Sequence, residues 1–407
     1  MRFKREQWLD EDTLEVLKKQ RLEKILDSAK STKFYARLLA NYDISEVIED
    51  ISILPATSKK TYQDSNDDFI RPRIKDLPHY NVSTSGSTGI PLQITLDQDA
   101  VNHRTAALGF IQTEFGRTPL DSMAELSVVP CSTLPFLHKL GLFRKLDLLV
   151  FDDEEVNYEK LSKYKPDILG WYPSPISILS KLNDSSGKPL KLKSVYTGAE
   201  MLSPECKRSI ENSFSCPVYQ QYGAVEFGTI AFECPEEHNF HICPTCELEI
   251  LDKNDKPKKS GEGEIAITSL VNHAMPFIRY KIGDLGSHGK PCSCGRGLPV
   301  LKSLGGRSND IITLPSGKSR SAVSFDIFYG IAGLLKYQVI QEREDLFVFR
   351  YVSSDKDLPA SSKEIVKNKL LSACLGESIS MEFEKVDNIK KSKSGKISTV
   401  ISKIKQR

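Results

Sequence analysis

Seven consecutive residues, Ser83-Thr84-Ser85-Gly86-Ser87-Thr88-Gly89, set five hydroxyls beside two glycines. Glycine lets main-chain N–H groups come close to an anion, and successive N–H groups in a tight turn form a concavity that holds it. The hydroxyls add rotatable donors around the same point. Such a stretch suits a polyphosphate. It is not a Walker A loop, because no Gly-Lys-Ser/Thr follows the glycines. A flexible Ser/Gly linker would share its composition. The flanks, Tyr80-Asn81-Val82 and Pro91 to Leu96, read as strands, however, which makes the stretch a loop between strands.

Four further stretches carry chemistry. Gln221-Tyr222-Gly223-Ala224-Val225-Glu226 reads as a glycine turn ending in a carboxylate. Tyr280-Lys281-Ile282-Gly283-Asp284 reads as a second glycine turn, with an acid at a strand end. Gly306-Arg307-Ser308-Asn309-Asp310 and Lys393-Ser394-Gly395-Lys396 complete the set. Each alone also fits a surface turn, a hairpin, a linker or a solvated tail. Cysteines form a fifth group: Cys234, Cys243-Pro244-Thr245-Cys246 and Cys292-Ser293-Cys294-Gly295-Arg296, with His241 among them. Several thiols in one short region suit a closed, four-coordinate structural zinc site. By spacing alone Cys243, Cys246, Cys292 and Cys294 would serve, and buried unmetallated thiols remain the alternative.

The elements that must position these residues follow from periodicity. Apolar residues at helical spacing from Asp10 to about Leu39 predict an N-terminal helical region, and Thr57 or Ser58 is the expected cap of a next helix. A helix is expected from Asp97 to about Phe115. Strand-like runs at Ala124 to Val129, Leu146 to Phe151, Ile168 to Gly170 and Ser194 to Tyr196 then alternate with helices, one spanning Pro175 to Leu182. That alternation predicts an α/β fold with a mostly parallel sheet covered on both faces. From Cys234 to about Gly305 short strands suggest a small β subdomain. A last α+β unit carries strands at Tyr337 to Gln341, Leu346 to Tyr351 and Ser378 to Phe383, with a helix from Ser361 to Leu375.

The chain's 407 residues allow two or more cores. With 56 Lys and Arg against 54 Asp and Glu, no bulk field recruits nucleic acid or a membrane. The basic tail from Lys385 lacks the aromatic interleaving of a nucleic-acid arm. A charged start and the lack of any apolar run near 18 residues predict neither signal peptide nor bilayer span, and hence a cytoplasmic protein.

In order and in kind, these motifs resemble those of the adenylate-forming superfamily of acyl-CoA ligases, most closely its phenylacetate–CoA ligase and capsule-biosynthesis-related branch. The resemblance covers nearly the whole chain. It implies a large adenylation domain over residues 1–308 and a small mobile domain over 309–407, with Asn309 at the hinge. Ser83 to Gly89 would hold the β- and γ-phosphates of ATP. Thr197-Gly198-Ala199-Glu200 and Gln221-Tyr222-Gly223 would border the adenine, Glu226 would bind Mg²⁺, and Asp284 and Arg307 would grip the ribose. Lys396 would be the mobile catalytic lysine. The implied reaction joins a carboxylic acid to AMP, releases pyrophosphate and passes the acyl group to CoA. A carrier-protein thiol, an amine or a cofactor hydroxyl are the other acceptors in view, and a homodimer is left open. Trp171, Tyr172, Tyr196 and Tyr219 would line an acyl pocket for an aryl or small organic acid, although aromatics there could equally be packing residues. For zinc the resemblance implies Cys234, His241, Cys292 and Cys294. Two departures stand out: Val225 replaces a Thr or Ser, and Asn309 replaces an Asp or Lys.

Overall fold

Parallel strands need crossovers, and antiparallel ones need only turns, so the two halves of this chain fold differently. The computed structural model describes residues 2–84, 91–128, 135–307, 311–392 and 397–404. These residues form two units. One comprises Met1–Glu114 and Gln221–Gly305, the other Phe115–Gln220 and Gly306–Arg407.

In the first unit Asp10 caps a helix over Glu11–Ala29 by accepting from the Thr13 N–H at 2.8 Å. The helical region expected to run to Leu39 is interrupted, because Thr32 starts a separate helix over Lys33–Leu39. Ser58 caps Lys59–Asp64, and Thr61 reciprocates by accepting from the Ser58 N–H. Strands His79–Ser83 and Gln93–Asp97 pair antiparallel with Ser83 opposite Gln93, and the helix Gln98–Glu114 follows. After Gln221 successive strands pair antiparallel, and Tyr280–His288 also takes Thr57–Ser58 alongside in parallel. Gly228–Glu233 lies between Val218–Ala224 and Phe240–Ile242, and Gly263–Ser269 lies between Cys246–Leu251 and Tyr280–His288. The stretch expected as a β subdomain, Cys234 to about Gly305, falls in one unit with Met1–Glu114. An aromatic stack of Tyr62 with Phe69 and Phe277 forms the centre of its core, with the Tyr35 and Tyr62 hydroxyls 2.7 Å apart.

Arg279 is buried in that unit at 2% exposure. Its Nε and Nη2 donate to Glu249, and its remaining donors reach the main-chain oxygens of Ser52, Leu54 and Asp255. A guanidinium removed from water is tolerable only when every donor is satisfied, and here they are.

The second unit carries the parallel sheet. Lys145–Leu149, Met123–Ser127, Ile168–Trp171, Ser194–Thr197 and the start of Val218–Ala224 are neighbours in that order, all parallel. Helices Glu154–Tyr164, Pro173–Ser185 and Pro204–Phe214 make the crossovers. The C-terminal part is a four-stranded sheet in the order Ser380–Lys385, Leu346–Ser353, Leu334–Arg343, Val400–Ser402. Its central pair is antiparallel and both edges are parallel. Helix Ala360–Ala373 packs on it through Val366 and Leu370. The fold is therefore α/β with a smaller C-terminal sheet, as the alternation of elements predicts. Among the described residues no helix is long and apolar enough to cross a membrane.

Candidate functional site

Of the expected site residues, Ser85, Gly86, Ser87, Thr88, Gly89, Asn309 and Lys396 lie outside the described residues, as does the Arg307 side chain. Ser83 and Thr84 do not. Ser83 ends its strand, and the Thr84 hydroxyl accepts from the Leu92 N–H at 2.9 Å, closing the base of the intervening loop.

The first unit gathers the two acids and their tyrosines. Gln221 to Ala224 form the end of a paired strand and not a turn, which corrects the sequence expectation. The ladder slips at Tyr222 and Gly223, where Gly223 lies against the turn: a Cβ there would meet the Gly228 carbonyl oxygen at 2.6 Å. Asp284 likewise sits within the strand Tyr280–His288 and not at its end. Glu264 pairs with Leu285 and Ala266 with Lys281, so Ile282, Gly283 and Asp284 together face the single residue Ile265. Gly283 takes φ +82° at this bulge, a backbone angle that a Cβ disfavours. The bulge turns Asp284 toward Tyr222, whose hydroxyl donates to Asp284 Oδ2 at 2.7 Å. Burial and the two nearby acids, Asp284 and Glu226, hold the Tyr222 hydroxyl well above its usual range. It therefore stays a donor.

Glu226 is 8% exposed and accepts from the buried Tyr280 hydroxyl at 3.1 Å. Arg104, from helix Gln98–Glu114, donates to the main-chain oxygens of Val225 at 2.9 Å and of Glu226. Burial lowers Arg104 to about 10, with Glu226 and Asp97 opposing, so the group keeps its charge at neutral pH. Neither Arg104 nor Tyr280 was assigned a role from sequence. Tyr280 opens the same motif as Asp284, which is a usable signal; Arg104 carries none. A carboxylate with one oxygen taken by a tyrosine can offer the other to a hard cation such as Mg²⁺.

Of the expected acyl-pocket residues, all in the second unit, Trp171 ends its strand and Tyr172 follows it, Tyr196 is next to last in Ser194–Thr197, and Tyr219 is second in Val218–Ala224. The Gly198 N–H donates to the Trp171 carbonyl at 3.0 Å. The Ser174 N–H and hydroxyl both donate to Glu200, ordering the turn after Thr197. Trp171 (φ 105°) and Ala199 (φ 66°) hold backbone angles that L-residues rarely adopt, and such strain concentrates at functional sites. Tyr196 is 2% exposed, lies across Gly170, and donates to Glu125 Oε2 at 3.1 Å. Tyr172 is also buried. Tyr219 stacks on Phe115 at 4.8 Å, and Trp171 meets Tyr196 edge-on at 6.2 Å.

Cys234, His241, Cys292 and Cys294 place one donor atom each within 4.8 Å of one another. Cys292 Sγ is 3.7 Å from Cys234 Sγ, and Cys294 Sγ is 3.4 Å from His241 Nε2. A tetrahedral zinc requires sulfur–sulfur edges of about 3.8 Å and sulfur–nitrogen edges of about 3.5 Å. The donor set fits that metal. Cys243 and Cys246 are not among the four: both are buried, and Cys246 Sγ instead faces the carbonyls of Ile230 and Cys243. The alternative pairing by spacing is thereby corrected. Arg296, two residues after Cys294, bonds Glu114 Oε2 at 2.6 Å and Gln7 Oε1 at 2.8 Å, and its guanidinium lies 4.8 Å over the Trp8 ring. The cysteine loop is thus tied to the N-terminal segment. His238 is exposed and bonds Glu233 at 2.8 Å.

Two family models match the chain: AMP-binding enzyme over residues 18–272, and CapK C-terminal domain over residues 315–403. Protein CapK of Staphylococcus aureus is 23% identical over 423 aligned residues, covering 96% of this chain and 89% of that protein. A phenylacetate-coenzyme A ligase of Thermus thermophilus is 23% identical, covering 75% and 73%. Among solved structures, 2-hydroxyisobutyryl-CoA ligase in its postadenylation state, in complex with R3-HIB-AMP, superposes with a TM-score of 0.80. It is 18% identical, over 98% of this chain and 91% of that one.

Proposed function

The chain belongs to the AMP-binding enzyme family, and from that premise we propose that it activates a carboxylic acid by joining it to AMP with release of pyrophosphate. The acyl group then passes to a thiol, with CoA the acceptor suggested by the ligases it resembles. The acid is aryl or another small organic acid. The observation that most supports adenylation is the pair of hydrogen bonds Tyr222–Asp284 and Tyr280–Glu226, which present two acids of the expected kinds from adjoining elements.

A carboxylate is a weak nucleophile toward a phosphate bearing its own negative charge, so the protein's task is alignment and charge neutralisation. Asp284, oriented by Tyr222, accepts from the ribose hydroxyls, and Arg307 assists it. The Tyr222 ring and the stretch Gly198-Ala199-Glu200 border the adenine. Ser83 to Gly89 cradle the terminal phosphates. Glu226 would hold Mg²⁺, which when bound neutralises phosphate charge. Lys396 supplies the positive charge between carboxylate and α-phosphate. Residues 1–308 act as the adenylation domain and 309–407 as a mobile domain hinged at Asn309. Cys234, His241, Cys292 and Cys294 would hold zinc in a structural role, since they would supply all four of the donors that such a site uses.

A carrier-protein thiol, an amine or a cofactor hydroxyl are the alternative acceptors. The test is exchange of labelled pyrophosphate into ATP across a panel of aryl, fatty and amino acids. Acid-dependent exchange that falls at least about 100-fold in Lys396→Ala is expected. Acid-independent exchange, or none with any acid, overturns the proposal. AMP retained covalently on the acceptor selects adenylyl transfer instead.

A further inference from the structure

Asp97 caps the helix Gln98–Glu114, one carboxylate oxygen accepting from the Ala100 N–H at 2.7 Å. Its other oxygen accepts from the N–H groups of His273 at 2.8 Å and Ala274 at 3.0 Å, and the Asn272 side chain donates to the Thr95 carbonyl at 3.1 Å. The start of this helix is thus fixed to a later segment of the same unit. Arg104 follows about two turns further on. Its Nη1 donates to the Val225 carbonyl at 2.9 Å and its Nη2 to the Glu226 carbonyl.

These carbonyls belong to the turn between Val218–Ala224 and Gly228–Glu233, which the Phe227 N–H closes by donating to the Ala224 carbonyl at 3.2 Å. They lie on either side of the Glu226 α-carbon. A planar fork that grips both fixes the two flanking peptide planes, and with them the direction in which the Glu226 side chain leaves the main chain. The turn leaves room for that fork only because residue 228 is glycine: a Cβ there would come within 2.8 Å of Arg104 Cγ. At the other end of the glutamate, Tyr280 bonds Oε1 at 3.1 Å, and no described residue bonds Oε2. Glu226 is therefore held at its main chain and at one oxygen, and the second oxygen is left to a ligand.

We propose that Arg104 is a positioning residue for metal-assisted nucleotide binding: its guanidinium orients Glu226 for the divalent cation that accompanies ATP, and it acts on that cation only through Glu226. This rests on the adenylation reading and on Glu226 as the cation's ligand. Lysine is no substitute, because an ammonium carries the same charge without the two-pronged geometry. Charge alone is therefore not what the position requires.

The test compares Arg104→Lys, Glu226→Gln and the double variant in the full chain. The probe is α,β-methylene-ATP, which cannot release pyrophosphate, and Mn²⁺ stands in for Mg²⁺. Calorimetry gives the Kd of this nucleotide with saturating Mn²⁺ and with no divalent cation added; the ratio is the gain that the cation confers. Arg104→Lys is expected to cut that gain about tenfold, as loss of a partner that orients a metal ligand typically does, and to leave cation-free affinity within about twofold of the parent. Glu226→Gln cuts it at least as far, and the double variant no further, since two residues acting as one unit do not add. Hydrogen exchange at the Phe227 amide rises in Arg104→Lys, a readout that needs neither nucleotide nor metal. An unchanged gain, an equal loss with and without the cation, or losses that multiply in the double variant each overturn the proposal. A parent chain in which the cation confers no gain counts against the adenylation reading. Exchange at the Phe227 amide then decides the hold on the turn: faster in Arg104→Lys supports it, and unchanged overturns it.

Discussion

At the scale of residues, two side chains carry separable predictions. Asp284 is half-buried and its neighbour Tyr222 is a donor, so an amide at 284 can still accept that bond while losing its charge. Asp284→Asn is expected to raise KM for ATP about tenfold or more while shifting the melting temperature by no more than a few degrees, because hydrogen bonds to a charged group contribute about 1.5–3 kcal/mol. Steady-state kinetics beside a thermal scan check both halves. Arg279 has the opposite profile. Arg279→Met leaves the Glu249 carboxylate buried and unpaired, at an expected cost of about 3–5 kcal/mol, whereas Arg279→Met with Glu249→Leu recovers most of it. Urea unfolding of the two variants gives the comparison. From sequence, Asp284 stood out through the ordered set of motifs that carries the family resemblance. Arg279 did not, although it immediately precedes Tyr280, because nothing local says that an arginine will be buried.

At the scale of elements, local signals located strands and helices better than their ends. The turn expected at Gly223 is a paired strand and the strand end expected at Asp284 is a bulge, since ladder partners far along the chain decide where a strand stops. Thr32 divided the first helical region for the reason that caps usually do: its hydroxyl accepts from the Tyr35 N–H more readily than the turn can continue. The cysteine loop is an element whose fold depends on a metal in our reading. Chelation by a strong zinc ligand, or Cys294→Ser, is expected to lower the melting temperature by several degrees and to part the Trp8 ring from the Arg296 guanidinium, because Arg296 ties that loop to the N-terminal segment. Trp8 fluorescence during chelator titration, with metal analysis of the released ion, measures it. A chain free of zinc whose stability ignores the chelator would remove the metal assignment.

At the scale of the whole molecule, pH acts on stability through Lys181. Its amine is buried against the carbonyls of Leu334 and Leu335, and burial lowers it to about 8, where an unfolded lysine titrates near about 10.4. Below about pH 8 both states hold the proton and the penalty is constant. Between about pH 8 and 10.4 the unfolded chain binds more protons than the folded one, so this group makes stability rise with pH. Relative to Lys181→Met, the parent chain should therefore gain about 1–3 kcal/mol on going from pH 7.5 to about 10. Paired denaturant curves at the two pH values check the sign. Subtracting the variant cancels the titration of the other lysines and tyrosines.

The order of the motifs, the alternation of strand and helix and the choice of fold class were decided by the sequence alone, because each rests on neighbours within a few positions. Which cysteines stand with His241, which tyrosine holds which acid, and which carboxylate reaches Lys391 depended on the tertiary structure. Among those pairings, Glu226 and Tyr280 lie 54 positions apart and Glu154 and Lys391 lie 237 apart. Contacts so distant in sequence are brought together by packing of cores, and packing leaves no mark in local spacing.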